Sequence, residues 1–103
     1  MRIALIVGVN HYEHGGHLYG CVNDAHSVKA ILERHDGGSV NFDCRLLTGT
    51  GPSENVKRGD LKDQITELFK ADADIALFYF AGHGHIEATG GYLLTSDAAR
   101  GDE

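Results

Sequence analysis

No apolar run in this chain approaches the roughly 20 residues that span a bilayer, so no membrane-crossing helix and no membrane partner are expected. Basic residues are scarce. Nine Lys and Arg stand against fifteen Asp and Glu, for a formal net charge of −6, and the cations are dispersed. No phosphate track results, which excludes nucleic acid as a partner. Seven histidines make that charge less negative below about pH 6.5. The two cysteines, Cys21 and Cys44, are too few for a disulfide framework. Cys21 follows the end of the first expected strand and Cys44 begins the second. In a parallel pair those are opposite ends, on the order of 15 Å apart, too far to bridge. Two free thiols and a cytoplasmic chain are therefore expected. The apolar stretch at Met1–Gly8 is too short for a signal peptide and has no small-residue cleavage site behind it. No Gly-x-Gly-x-x-Gly or Gly-Lys-Ser/Thr loop follows it, which sets nucleotide binding aside. There is no internal repeat and no low-complexity tract.

What is present fits one domain with one core: 103 residues, 42% hydrophobic and 23% charged. Ile3–Val9 reads as a β-branched strand, followed by a polar His- and Gly-rich loop from Asn10 to about Gly20. Asn23 and Asp24 are candidate N-caps. Behind them Ala25, Val28, Ile31 and Leu32 recur at helical spacing to about His35, with Gly37-Gly38 as the stop. Phe42–Leu47 is a second strand, and Thr48–Ser53 is a loop holding the only proline, Pro52. Asp60 is placed to cap a helix whose apolar face is Leu61, Ile65, Leu68 and Phe69, with residues 54–59 as loop or an earlier turn. Ile75–Ala81 is a third strand. Ile86–Leu94 contains Thr89-Gly90-Gly91 and reads as a small hairpin. The polar tail from Asp97 to Glu103 is expected to be loose. Strand, helix, strand, helix, strand implies an α/β fold: an open parallel sheet with right-handed crossovers and flanking helices. Strand three is apolar on both faces, as for a strand covered on both sides. With three main strands one of its edges is left bare, which points to a partner, or to a sheet continued by further sequence.

The most informative segment is Ile75-Ala76-Leu77-Phe78-Tyr79-Phe80-Ala81-Gly82-His83-Gly84-His85. An apolar strand ends in a histidine held between two glycines, at the end of the sheet where open α/β folds place reactive groups. His83 is the candidate general base; the bland alternative is a loop histidine with no chemistry. His85 is the alternative base if the register differs. Gly84 can offer an unobstructed backbone N–H to a developing oxyanion. His11, His14 and His17 share the loop after strand one, and with His83 and His85 they raise a metal-site reading. No His-Glu-x-x-His pair supports it, and a solvated loop is the plain alternative. Asp24 has the ordinary role of a first-turn acid, and beside a pocket it would favour a cationic group such as Arg or Lys. Cys21 is a pocket wall or a small buried hydrophobe, with nucleophile as the remaining option. No cysteine follows His83 in the sequence.

Four segments together, Ala4-Leu5-Ile6-Val7-Gly8-Val9-Asn10-His11-Tyr12, Leu18-Tyr19-Gly20-Cys21-Val22-Asn23-Asp24-Ala25, Phe78-Tyr79-Phe80-Ala81-Gly82-His83-Gly84 and Tyr92-Leu93-Leu94-Thr95-Ser96-Asp97, resemble the caspase/metacaspase superfamily of cysteine endopeptidases. The likeness is to metacaspases and bacterial caspase-like proteins, and it covers nearly the whole chain in order. It implies that His83 is the catalytic histidine and that Gly84 supplies an oxyanion-hole amide. It implies that Cys21 and Asp24 shape a specificity pocket in which the acid selects Arg or Lys before the scissile bond, rather than Asp. Metacaspases usually carry Ser where this chain has Ala81, so a modest change in pocket polarity is expected. The family's nucleophilic cysteine follows the next strand in an Asp-x-Cys context, which lies past Glu103. The resemblance therefore implies that residues 1–103 are the N-terminal part of a single caspase-like domain, ending after the third main strand and a small hairpin. It is expected to act on peptide or protein substrates, to be inactive alone and to call for no cofactor, with calcium activation left open. The partner along strand three is then the remainder of the domain or a self-associating copy. The rival readings are a non-catalytic caspase-like scaffold or regulator and, after it, a metal-dependent hydrolase built on the histidine loop.

Overall fold

The computed structural model describes residues 1–88 and 90–98. Three parallel strands form the main sheet: β1 (Arg2–Val9), β2 (Asp43–Gly49) and β3 (Ile75–Ala81), in the order β2-β1-β3. Two helices make the crossovers, α1 (Cys21–Glu33) and α2 (Arg58–Lys70). A separate antiparallel hairpin, β4 (Gly84–Glu87) with β5 (Gly90–Leu93), follows β3. This is the α/β architecture expected from the sequence. No helix among the described residues is long and apolar enough to cross a membrane.

β1 is central because its run of aliphatic residues can be buried on both faces. Leu5, Val7 and Val9 point to one side and pack with Val56, Leu61 and Leu68 of the α2 layer. Ala4 and Ile6 point to the other and pack on Ala25 of α1. The same alternation divides β3: Ala76, Phe78 and Phe80 join the α2 layer, while Leu77 and Tyr79 join the α1 layer. Gly8 lets α1 come close. A Cβ on Gly8 would lie 2.5 Å from the Cys21 carbonyl oxygen and 2.8 Å from Ala25 Cβ. Among the described strands β3 pairs only with β1, so its other edge carries no strand.

Element boundaries depart from expectation where capping is tertiary. α1 begins at Cys21, so Asn23 and Asp24 lie within its first turn and neither is the N-cap, and it ends at Glu33 rather than His35. Its N-cap residue is Gly20, which has no side chain to bond; Asn10 Oδ1 instead accepts the N–H groups of Cys21 (3.0 Å) and Val22 (3.2 Å). α2 begins at Arg58, so Asp60 is a first-turn acid and not the cap. There Asp97 Oδ1 accepts the Arg58 N–H at 2.9 Å. Asp97, expected in a loose tail, thus ties the tail to the start of α2. Residues 99–103 of that tail, and Thr89 of the hairpin turn, lie outside the described residues. Phe69 is 61% exposed instead of buried on the α2 face, which Leu61 and Leu68 occupy. β2 starts one residue later than expected, at Asp43, and ends two later, at Gly49, because Gly49 still pairs with Val9.

Candidate active site

β1 and β3 are neighbours, yet the chain leaves β1 for β2 on one side and returns to β3 on the other. The connections therefore diverge at the carboxyl ends of β1 and β3. This is a topological switch point, where open α/β sheets bind their ligands. His83 sits there, two residues past the end of β3. The loop after β1 sits beside it. Its ends are fixed by Asn10 and His11, whose N–H groups both donate to the Gly49 carbonyl (2.9 and 3.0 Å), and by the Leu18 N–H, which donates to the Asn10 carbonyl at 2.8 Å.

The half-buried His83 is held at three points. Its Nε2 lies 2.8 Å from the Gly16 carbonyl oxygen. A carbonyl oxygen only accepts, so Nε2 is the nitrogen carrying hydrogen. In the neutral ring Nδ1 then keeps its lone pair, which makes Nδ1 the basic atom. The ring also packs on that of Tyr12, with centroids 4.7 Å apart and planes inclined at 54°. The His83 backbone N–H donates to the Tyr12 hydroxyl at 2.8 Å.

Gly82 and Gly84 have no left-handed backbone, so a sharp turn is not what glycine provides there. At Gly82 the reason is space, since a Cβ would lie 2.6 Å from the Tyr12 hydroxyl. Gly84 opens β4, paired in register with Leu93. One step earlier the Leu94 N–H donates to the His83 carbonyl at 3.0 Å, which marks 83/94 as a hydrogen-bonded pair. In an antiparallel ladder the next pair, 84/93, is then a non-bonded one, and the Gly84 N–H is directed away from β5.

Cys21, Asp24 and Ala81 stand at the same end of the sheet. Ala81 pairs with Gly8, and Gly8 lies directly beneath the Cys21 carbonyl. By strand alternation Gly8 and Ala81 face the α1 side, so two small residues floor the space beside the first turn of α1. Cys21 is partly buried and free, and Asp24 is exposed within that turn. Burial, and then the Asp24 carboxylate, push the Cys21 thiol above the ordinary cysteine range, which disfavours the thiolate a nucleophile requires.

The histidine loop does not assemble as a metal centre among the described residues, where no group of three His, Cys, Asp or Glu could hold an ion. His11 and His17 instead stack nearly parallel, with centroids 4.9 Å apart and planes 16° apart. His85 lies in β4, paired with Tyr92. With Tyr92, Arg58 and Lys62 it lines a groove of about 530 Å3 between α2 and the hairpin.

Sequence reasoning did not assign Asn10, Tyr12 or Gly16 a role at the site. Asn10 and Tyr12 were visible as members of the loop, but their partners lie 11 and 71 residues away. Gly16 acts through its carbonyl, which no side-chain pattern reports.

Comparison with known proteins bears on the family of the chain. The caspase-domain family model matches residues 1–101. Metacaspase-9 of Arabidopsis thaliana is 31% identical over 90 residues, covering 81% of this chain and 27% of the relative. Metacaspase-1 of Scheffersomyces stipitis is 32% identical over 87 residues, covering 79% of this chain and 21% of the relative. Metacaspase-1A of Aspergillus fumigatus is 31% identical over 88 residues, covering 81% and 21%. The chain thus spans 20–27% of the length of the curated relatives it matches. No solved structure matches it significantly. A caspase-domain match running from residue 1 to residue 101 leaves almost nothing outside it, and the chain belongs to that family.

Proposed function

We propose that residues 1–103 are the histidine-bearing N-terminal part of a cysteine endopeptidase domain. His83 is its general base and acid, and the nucleophilic cysteine comes from sequence following Glu103. The observation that carries this reading is the Nε2 contact with Gly16 at the switch point, which leaves Nδ1 as the base. Family membership and the metacaspase relatives support the reaction class.

In the complete domain the cysteine S–H proton passes to His83 Nδ1 and the sulfur attacks the peptide carbonyl carbon. The Gly84 N–H, with the cysteine's own N–H, stabilises the oxyanion; one such donor is typically worth roughly 100- to 1,000-fold in rate. Collapse breaks the C–N bond, with the Nδ1 proton going to the leaving amine, and leaves a thioester. Water hydrolyses the thioester with Nδ1 accepting its proton, and the cysteine is regenerated. Cys21, Asp24 and Ala81 wall the specificity pocket, where the Asp24 carboxylate favours an Arg or Lys side chain. Ala81 contributes no hydroxyl to that pocket. The chain by itself is inactive. The bare edge of β3 receives the remainder of the domain or a second copy. The free thiols suit a reducing, cytoplasmic setting.

A second reading, a non-catalytic caspase-like scaffold, is suggested by the edge of β3 that carries no strand among the described residues. Translating the coding sequence past residue 103 and assaying the product on fluorogenic Arg, Lys and Asp peptides separates the two. An Asp-x-Cys segment within about one further strand-crossover-strand unit, roughly 40 residues, together with His83-dependent cleavage after Arg or Lys, supports the peptidase. A stop codon, or a continued chain that cleaves nothing, supports the scaffold. Cleavage by the 103-residue chain that is lost in both His83→Ala and Cys21→Ala would overturn the inactivity claim and make Cys21 the nucleophile.

A further inference from the structure

Tyr12 is 2% exposed, and its hydroxyl sits where a backbone rung belongs. Beyond Gly84↔Leu93 the β4–β5 register continues by one pair, His83 with Leu94. One bond of that pair is made directly, from the Leu94 N–H to the His83 carbonyl at 3.0 Å. In an ordinary antiparallel pair the return bond runs from the His83 N–H to the Leu94 carbonyl. Here the Tyr12 hydroxyl is inserted into it, accepting from the His83 N–H at 2.8 Å and donating to the Leu94 carbonyl at 3.0 Å.

We propose that Tyr12 is a positioning residue that sets the backbone and ring of His83 for its role as base. The catalytic meaning of this inference rests on the peptidase reading above, while its geometric content does not. The hydroxyl bridge fixes the His83 backbone. The Tyr12 ring backs the imidazole on one side while the Gly16 carbonyl, four residues along the same loop, anchors Nε2. Both restraints on the imidazole therefore come from one short loop. Tyr12 is itself pinned: its N–H donates to His17 Nδ1 at 3.3 Å, and the next N–H, of Glu13, donates to the Ser96 carbonyl at 2.9 Å. Gly82 completes the device, because any Cβ there would strike the hydroxyl. A displacement of about 1 Å at a reacting group costs roughly 100-fold in rate, so such anchoring bears directly on catalysis.

The test is NMR on the isotope-labelled full chain with Tyr12→Phe, which keeps the ring and removes only the hydroxyl. The His83 amide should exchange at least about tenfold faster while the Ile6 and Val7 amides keep their protection, and the His83 ring N–H signal should broaden. Gly82→Ala, whose Cβ presses on the Tyr12 hydroxyl and on the Phe80 ring while the tyrosine is retained, should give the same His83 signature. In a continued chain that cleaves peptides, Tyr12→Phe should lower kcat by about 10- to 100-fold with KM little changed. A folded Tyr12→Phe protein with unchanged His83 amide and ring signals overturns the proposal. So does a loss of protection throughout the sheet in both variants, which makes Tyr12 a core residue only. Absence of cleavage by the continued wild-type chain would refute the peptidase reading and leave the NMR result standing.

Discussion

Asn10 caps a helix that begins 11 residues after it, its Oδ1 accepting the N–H groups of both Cys21 and Val22. The loop leaving β1 and the helix returning over it are thereby closed on each other, and the turn carrying Cys21 and Asp24 is fixed against the end of the sheet. Asn10→Ala should cost about 1 kcal/mol, the usual value of an N-cap. For a domain of this size that is roughly 4–8 °C in Tm per kcal/mol. Calorimetry should show this drop, and hydrogen exchange should show the Cys21 and Val22 amides freed before the centre of α1. An unchanged Tm would mean the contact carries no weight.

The thiols should be sluggish. Burial and then Asp24 raise Cys21; burial and then Glu33, against a smaller lowering by Lys29, raise Cys44. At pH 7.5 both should be alkylated by iodoacetamide more slowly than free cysteine, with rates still climbing above pH 9. Asp24→Asn should speed Cys21 and leave Cys44 alone. A Cys21 that outpaces the free amino acid would restore it as a candidate nucleophile.

Acid should loosen the start of α2. Burial pushes Asp97 up, but hydrogen bonds from Thr95 and the Arg58 N–H outweigh it and hold the carboxyl below the ordinary aspartate range. A depressed folded pKa contributes stability that is present above the unfolded value, about 3.9, and is lost as pH falls through the folded value. Wild type should therefore be more stable than Asp97→Asn at neutral pH, and that advantage should shrink below about pH 4. Urea melts across this range check it; a constant gap would contradict the assignment.

The strands were legible in the sequence because β1 and β3 are apolar at consecutive positions, although only the central β1 is buried on both faces and β3, at the edge, is half-buried. Their parallel order followed from the helices between them. The position of His83 at the carboxyl end of β3 was legible too, from the apolar run that precedes it. The helix starts were not. Asn10 and Asp97 cap α1 and α2 from across the fold, so the local candidates Asn23, Asp24 and Asp60 are first-turn residues instead. The sequence likewise could not assign the purpose of Gly82. Its missing Cβ makes room for Tyr12, a residue 70 positions away in the chain whose approach no local pattern records.

His83 is proposed to present Nδ1 as a base because Nε2–H is committed to the Gly16 carbonyl. Long-range nitrogen–proton NMR of the imidazole, followed through its titration, tests this most directly. The expected result is a neutral ring in a single Nε2–H form with a slowly exchanging ring proton. A neutral ring protonated on Nδ1, or one showing the mixed tautomers of free imidazole, would contradict it.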